Sequence, residues 1–315
     1  MGEIGIALRN FSSPEDGQPD VEGLIRMARR AEELGLDIVW TWDHVILGSR
    51  KVFPILDPFL LLSAISSRTH RVKLGTMLLV SLRNPVQLAK EIATLDYISR
   101  GRLMIGGIAG WYEREFKAMG VEYSKRGRLL ERNFSIIREL LANNSVTMKV
   151  DNLDLDNVTI EPKSLQRPSP LMLMGGYSDN VLRRIAKLAD GWVSYCYTPE
   201  SFRANWGKIL QYAREYGRDQ SSLTNLAIIP LCVSKDREVG MSRLKAFASK
   251  GYLDFPSWSS ATLDSSIVGG VEECRDRLTS YFENGMEKIV LVPCDYDLEQ
   301  IEVLGKELVP GLIKR

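Results

Sequence analysis

The sequence predicts an α/β fold, specifically a parallel (β/α)8 barrel of the TIM type with insertions. The first observation is the alternation of eight short apolar runs with eight helical segments, which fits a closed barrel better than an open doubly wound sheet. The second is that neither a GxGxxG nor a GxxxxGK[ST] nucleotide-binding pattern occurs. The third is the length of 315 residues, which suits one domain over residues 1–315.

Eight runs of four to nine residues, rich in apolar side chains, are predicted as strands. In chain order they are residues 4–9, 37–42, 72–80, 102–108, 171–174, 192–195, 226–233 and 288–293. The fourth run, RLMIGGI, leads through further glycines into the charged pattern of a helix. We expect these runs to form the wall of the barrel.

Eight segments with helical periodicity follow the strands. In the first, apolar residues recur at helical spacing after Asp20, a suitable N-cap. In the third, Pro85 stands in the first turn, where its missing N–H does no harm. The predicted helices are residues 21–35, 57–68, 84–99, 126–143, 179–189, 199–216, 238–250 and 271–284.

Two segments break the alternation and are predicted as insertions. Residues 145–170 alternate with period two and carry turn residues, which indicates a small β excursion over one barrel end. Residues 251–266 are rich in Ser, Pro and aromatic side chains and are predicted as an irregular loop near the active face. We expect the substrate pocket to be built from these two insertions.

The charge and cysteine content exclude several classes of function. Lys plus Arg total 41 and Asp plus Glu 40, so no strong field attracts nucleic acid or an anionic membrane. The four cysteines form no CxxC pair, and Cys232 and Cys294 lie in apolar runs, so neither a disulfide framework nor a metal site is predicted. The N-terminus lacks a signal-peptide pattern, and no apolar run reaches about 18 residues. We therefore expect a cytoplasmic protein.

Two strand-to-helix junctions are rich in glycine, and chemistry in such barrels takes place where strands end. The first is LMIGGIAGWYEREFKAMG, from Leu103 to Gly120, and the second is LMLMGGYSDNVLRRIAKLADGW, from Leu171. Backbone N–H groups at such junctions, with the positive end of the next helix, form anion sites. The alternative is that both are ordinary βα turns.

These two junctions resemble segments of a known family. Three further segments share the resemblance: GLDIVWTWDH, LGTMLLVSLRNPVQLAKEIATLDYISRGRLMIGG and SIVGGVEECRDRLTSYFENGMEKIVLVP. The chain resembles the bacterial luciferase-like superfamily of flavin- and deazaflavin-dependent oxidoreductases over nearly its whole length. The resemblance implies a luciferase-like (β/α)8 barrel, usually a homodimer. It further implies that a reduced flavin or deazaflavin and a small-molecule substrate bind at the C-terminal ends of the strands.

The resemblance also implies a set of cofactor-binding residues and two catalytic ones. Gly106, Gly107 and Gly110 would let the chain approach the cofactor, Gly175 and Gly176 would bind its phosphate, and Met77–Leu78 aligns with a frequent non-prolyl cis peptide. The cofactor-binding residues are Asp43, Met77, Leu78, Gly106, Gly107, Ile108, Ala109, Gly110, Trp111, Gly175, Gly176 and Tyr177. The catalytic residues are His44, as the acid or base, and Asp43.

The chain departs from the family pattern at two positions. Ile108 stands where the GxGxGW pattern has a glycine, so the close approach to the cofactor could shift by one residue. Trp111 stands where the deazaflavin-dependent sugar-phosphate dehydrogenases carry an acidic residue. This second departure argues against sugar-phosphate chemistry.

The remaining candidates are polar and aromatic residues near strand ends. The imidazole of His44 is a side-chain type that suits proton transfer, although the Asp43–His44 pair could instead only fix a loop. His70 is predicted as a solvated loop residue and Trp192 as a core residue. Trp40, Trp42 and Trp111 are candidates for lining the cofactor cleft, and Arg83 is either a phosphate contact or solvated.

We expect a hydride-transfer oxidoreductase that uses the deazaflavin coenzyme F-420. One alternative is an FMN-dependent two-component monooxygenase that uses reduced flavin and oxygen. A deazaflavin carries carbon at the position of flavin N5 and does not readily support that oxygen chemistry, so the cofactor decides the reaction class. The second alternative is a non-catalytic flavin-binding barrel.

Overall fold

The fold is a closed barrel of eight parallel strands surrounded by helices, in a computed structural model that describes residues 2–48, 52–251, 256–295 and 298–312. The barrel strands are β1 (Glu3–Ala7), β2 (Ile38–Thr41), β3 (Lys73–Leu79), β4 (Leu103–Ile108), β7 (Leu171–Gly175), β8 (Gly191–Tyr195), β9 (Thr224–Val233) and β11 (Lys288–Pro293). Each pairs with its neighbour in this order, and β11 returns to pair with β1. The predicted (β/α)8 barrel is confirmed.

Three further strands lie outside the barrel wall. They are β5 (Val146–Val150) and β6 (Leu153–Val158), an antiparallel hairpin, and β10 (Ile267–Gly269), which adds to the outer edge of β9. The hairpin confirms the β excursion predicted for residues 145–170.

The described residues form eleven α-helices. They are α1 (Val21–Glu33), α2 (Pro58–Ser66), α3 (Pro85–Ile98), α4 (Glu113–Ala118), α5 (Arg126–Ala142), α6 (Asp179–Leu188), α7 (Pro199–Glu215), α8 (Arg237–Gly251), α9 (Pro256–Ser265), α10 (Val271–Glu283) and α11 (Leu298–Val303). Asp20 accepts from the N–H of Gly23, and Asn84 accepts from two N–H groups after Pro85. Such caps satisfy amides that the helix itself leaves without partners.

The prediction of an irregular segment over residues 251–266 is wrong for most of its length, because Pro256–Ser265 forms helix α9. Its mixture of Ser, Thr and aromatic residues shows no clear helical period, which is why the sequence pattern did not indicate a helix. Residues 252–255 of this segment lie outside the described residues.

The buried apolar residues form two large clusters, one inside the barrel and one between its strands and the surrounding helices. The outer cluster packs helices against strands and includes Trp192, which stacks on Phe202 at 5.2 Å between ring centroids. The interior cluster includes Trp40, which is completely buried. A Cβ atom at Gly75 would lie 2.0 Å from the Trp40 ring, and one at Gly106 would lie 3.1 Å from it. Glycine on β3 and β4 therefore makes room for this indole.

Within the described residues, no helix has the length and apolarity needed to cross a bilayer. His70 is exposed, as predicted for a loop residue.

Candidate active site

A cavity of about 350 Å³ opens at the carboxyl ends of the barrel strands, a size within the range of small-molecule sites. Its wall is mostly apolar and includes Phe11, Trp42, Ile55, Met77, Val193 and Val292. The polar residues that line it are few; they include His44, just after β2, and Arg126, the first residue of α5. This arrangement favours a ligand with a large apolar body and a small number of polar contacts.

His44, just after β2, is bound to a carboxylate that the sequence analysis did not identify. The Nδ1 atom of His44 lies 3.0 Å from Oε2 of Glu115. The other oxygen, Oε1, accepts hydrogen bonds from the backbone N–H groups of Val45 and Ile46. The Glu115 side chain is completely buried, whereas that of His44 is 12% exposed.

These contacts fix which nitrogen of His44 is available. An ionised carboxylate only accepts hydrogen bonds, so a neutral His44 paired with an ionised Glu115 is expected to carry its proton on Nδ1 and donate it to Glu115. Nε2 has no hydrogen-bond partner among the described residues, and His44 lines the cavity. His44 therefore offers a proton-accepting nitrogen at the cavity wall, with its ring held by Glu115 and flanked by Trp111, whose centroid lies 5.8 Å away at 84°.

Asp43 lines the cavity but has both carboxylate oxygens occupied. Nη2 of Arg83 lies 2.8 Å from Oδ1, and Oδ2 accepts from the N–H of Leu79 at 2.9 Å. Asp43 is 3% exposed. Burial alone would lower the pKa of Arg83, but the charge of Asp43 and its hydrogen bonds raise it overall. The pair ties β2 to the end of β3, and Arg83 is mostly buried and is not among the residues that line the cavity.

Asn10 fixes the adjoining turn. Its side chain accepts from the backbone N–H of Trp42 at 2.9 Å and donates to the Trp42 carbonyl at 2.8 Å. Trp42 packs edge-on against Tyr195 on the opposite wall, with centroids 5.5 Å apart. Asn10 and Tyr195 therefore fix the position of Trp42, the residue directly before Asp43 and His44.

The loop after β4 approaches the cavity through Ile108, Ala109, Gly110 and Trp111, all of which line it. Gly110 has φ +80°, and a Cβ atom there would lie 2.9 Å from Phe116 and 3.0 Å from Leu79. Ser81 donates to the Ala109 carbonyl at 2.6 Å. Gly110 is thus required by both backbone conformation and space.

The loop after β7 presents backbone groups and a helix N-terminus to the cavity. Gly175, Gly176, Tyr177 and Ser178 line it, and Gly176 has φ +148°. The Ser178 side chain makes no capping hydrogen bond to α6. Arg126 lines the same cavity and stacks on Tyr123 at 3.9 Å. The N-terminus of α6, with the guanidinium of Arg126 on the same cavity, suits an anion such as phosphate.

Several predicted site residues lie elsewhere. Gly106, Gly107, Leu78 and Trp40 are not among the residues that line the cavity. A Cβ atom on Gly107 would lie 3.1 Å from Phe134 of α5, so this glycine permits helix packing. Asn84 caps α3. Met77 does line the cavity. The cis peptide bonds of the described residues are Glu161–Pro162 and Arg167–Pro168, so the Met77–Leu78 bond, which aligns with a frequent cis peptide of the family, is trans here.

The rim beyond β8 carries two groups that stay protonated near neutral pH. Burial raises the pKa of the Cys196 thiol to about 11 and the pKa of Tyr197 to about 12. Cys196 has φ +59°, a conformation uncommon outside glycine. Tyr197 stacks on Tyr177 with centroids 5.6 Å apart.

Comparison with known proteins gives a family match over most of the chain. The sequence model of the luciferase-like monooxygenase family matches residues 3–288. A 5,10-methylenetetrahydromethanopterin reductase of Methanolobus tindarius is 26% identical over 90% of this chain and 94% of its own length. An FMNH2-dependent dimethylsulfone monooxygenase of Pseudomonas putida is 28% identical over 78% of this chain and 76% of its own length.

A third relative matches over a shorter part. An F-420-dependent glucose-6-phosphate dehydrogenase of Amycolatopsis mediterranei strain U-32 is 27% identical over 61% of this chain, and the match spans 58% of that relative. Among solved structures, an F-420-dependent secondary alcohol dehydrogenase with an F-420–acetone adduct superposes with a TM-score of 0.86 at 19% identity, covering 99% of both chains. The EDTA monooxygenase of Chelativorans sp. BNC1 superposes with a TM-score of 0.83 at 16% identity, covering 99% of this chain and 93% of its own.

Proposed function

The chain belongs to the luciferase-like monooxygenase family, and from this premise we propose that it is an oxidoreductase that transfers a hydride between coenzyme F-420 and a small organic substrate. The observation that carries the proposal is the His44–Glu115 pair at the wall of a largely apolar cavity. Hydride transfer to or from a carbonyl or imine is accompanied by movement of a proton, and this pair supplies a place for it.

The cavity residues fit a flavin-like cofactor. Met77, Ile108 and Val193 offer an apolar surface for the ring system, and the Gly175–Gly176 loop, with Arg126, offers an anion site for a phosphate. When bound, the deazaflavin would supply the hydride donor or acceptor, and the protein would supply position and proton handling.

His44 would accept or deliver the proton at Nε2, and Glu115 would hold Nδ1. Glu115 is therefore a positioning residue that acts through His44. Asp43, predicted as a second catalytic residue, is not suited to proton transfer, because Arg83 and the Leu79 amide occupy its oxygens. Its contribution would be to hold the turn in which His44 lies.

A second candidate is an FMN-dependent monooxygenase. The Pseudomonas putida dimethylsulfone monooxygenase is as similar to this chain as the reductase of Methanolobus tindarius, and an apolar cavity would also suit a site that excludes water. The two candidates share the fold and the anion site and differ in the cofactor.

Anaerobic titration of the apo-protein with F-420 and with FMN, each oxidised and reduced, tests the proposal. Tight F-420 binding with weak FMN binding supports hydride transfer, and preference for reduced FMN supports the monooxygenase. Binding of neither would contradict both. His44→Ala should then lower turnover by roughly 10²–10⁴-fold while cofactor affinity changes little.

The family resemblance also leads us to propose a homodimer. Leu60 of α2 is 76% exposed, and Tyr97 and Ile98 at the end of α3 are 54% and 48% exposed. Large exposed apolar side chains on adjacent helices are typical of interfaces. Light scattering should give twice the 35.5-kDa chain mass; a value equal to one chain would exclude the dimer.

A further inference from the structure

Two cysteines and an aspartate meet at the carboxyl ends of β9 and β11. Cys232 lies in β9, and Cys294 and Asp295 directly follow β11. The N–H of Cys294 donates to the Leu231 carbonyl at 2.9 Å, so the two backbones remain in register there. The two Sγ atoms and a carboxylate oxygen lie within 4.8 Å of one another, and Cys294 Sγ is 3.8 Å from Asp295 Oδ2.

The cluster is separate from the proposed cofactor site but close to it. None of its three residues lines the cavity, whereas Val292, two residues before Cys294, does. Cys232 is completely buried and Cys294 is 7% exposed. The Asp295 side chain is 36% exposed, so exposure increases from Cys232 to Asp295. An ion would therefore enter the cluster from solvent past Asp295.

We propose that Cys232, Cys294 and Asp295 form a binding site for a divalent ion of the zinc class. Two thiolates and one carboxylate are a donor set that suits Zn²⁺, which favours sulfur and tolerates oxygen. With Zn–S of about 2.3 Å and Zn–O of about 2.0 Å, a tetrahedral ion separates its sulfur and oxygen ligands by about 3.5 Å. The 3.8 Å between Cys294 Sγ and Asp295 Oδ2 requires only a small adjustment.

The fourth coordination position would hold water, since three ligands come from the described residues. Binding releases both thiol protons to solvent while the oxidation state of sulfur and metal stays unchanged. The ion would join β9 to β11, two strands of the barrel wall, and so stabilise the folded state.

Arg243 of α8 competes for this site. Its Nη1 lies 3.4 Å from the same Asp295 Oδ2 that would bind the ion, and its side chain is 48% exposed. Such an exposed ion pair contributes little to stability, so the guanidinium can move into solvent when the ion binds. Replacing Arg243 should therefore strengthen metal binding.

Co²⁺ is the probe that tests the proposal, because tetrahedral cobalt–thiolate sites give a near-ultraviolet charge-transfer band. The full-length protein is reduced with a phosphine, freed of metal and titrated with Co²⁺ under nitrogen at neutral pH. We expect one equivalent to bind with a charge-transfer intensity of two thiolates, and one equivalent of Zn²⁺ to abolish the band. Absence of the band in the wild-type protein overturns the proposal, whatever the variants do.

The variants locate the ligands. Cys232→Ser and Cys294→Ser should each halve the charge-transfer intensity and weaken binding at least tenfold, and Asp295→Asn should weaken it with the intensity retained. Cys274→Ser is the matched control, since Cys274 is a completely buried thiol outside the cluster. Arg243→Gln, a substitution at a half-exposed side chain, should bind Co²⁺ more tightly. Unchanged binding in both cysteine variants, or loss of binding in Cys274→Ser alone, would contradict the assignment.

Discussion

The Nδ1 atom of His44 lies 3.0 Å from Oε2 of Glu115, a carboxylate without solvent exposure. The two residues are 71 positions apart: His44 lies in the segment after β2, and Glu115 lies in helix α4, which follows β4. The other carboxylate oxygen accepts from two backbone amides, so Glu115 contacts three consecutive residues, His44 to Ile46. This contact is the basis of the first two predictions.

We expect neutral His44 to carry its proton on Nδ1. Long-range proton–nitrogen NMR correlations distinguish the two imidazole tautomers. The chain has only two histidines, and His70→Gln removes the exposed one, so a single set of imidazole signals remains. A neutral imidazole protonated at Nε2 would contradict the hydrogen bond to Glu115.

Glu115→Gln should lower the free energy of unfolding by about 1–3 kcal/mol. An amide has no charge and offers one acceptor oxygen where the carboxylate offers two, so the oxygen can keep the N–H groups of Val45 and Ile46, but the hydrogen bonds are no longer charge-assisted and His44 Nδ1 faces an amide donor. Glu113→Gln, at an exposed position of the same helix, is the control and should change stability by less than about 0.5 kcal/mol. Urea unfolding measures both, and equal effects would show that the buried contacts contribute nothing.

Gly110→Ala should be more destabilising than Gly120→Ala, although both glycines have positive φ. Either substitution costs roughly 1 kcal/mol for the left-handed backbone. At Gly110 the new Cβ also meets Phe116 at 2.9 Å and Leu79 at 3.0 Å, whereas nothing lies within 4 Å at Gly120. We expect an extra loss of about 1–3 kcal/mol at Gly110, measured by urea unfolding. Equal losses would mean that the loop moves aside easily.

Arg126→Gln should weaken binding of FMN by about 5–30-fold but leave binding of riboflavin nearly unchanged. The two ligands share the ring system and differ in the phosphate, and a charge-assisted contact to phosphate contributes about 1–2 kcal/mol when it is partly exposed. Anaerobic fluorescence titration with reduced ligands measures both affinities. An equal loss for the two ligands would place Arg126 beside the ring instead.

Stability should fall in alkaline solution because Cys196 holds its proton more tightly in the folded protein. Its pKa rises from 9.0 to about 11 on burial. Between these values the folded state binds more protons than the unfolded chain, so the contribution is complete below pH 9 and is lost as pH rises to 11. The loss should be about 2–3 kcal/mol. Urea unfolding of Cys196→Ser from pH 8 to 11 should show a weaker pH dependence than the wild type; an identical dependence would exclude Cys196 as the source.

The barrel was predictable because each strand is one continuous apolar run between turn signals. All eight strands and eight predicted helices end within two residues of their predicted bounds. Helix α9 was missed because Ser, Thr and aromatic residues without a period are typical of loops as well.

The site was less predictable, because it depends on which side chains face one another. Glu115 lies between Arg114 and Phe116 in a charged segment and resembles a solvent-facing residue of a short helix. Gly106 looks like a cofactor glycine, but its space is taken by Trp40 from the neighbouring barrel interior. Cys232 and Cys294 are 62 positions apart in sequence, and only the pairing of β9 with β11 brings them together.

The pairing of β1 with β11 also has a consequence for synthesis of the protein. One edge of β1 stays open until β11 is made, since Glu3 pairs with Lys288, 285 positions later. At a typical elongation rate, that interval is about 15–60 s. During it the nascent sheet presents unpaired backbone N–H and C=O groups to neighbouring chains on the same messenger, the situation in which strands from different molecules pair. Chaperone occupancy on the ribosome should therefore persist until residues near 293 have left the exit tunnel.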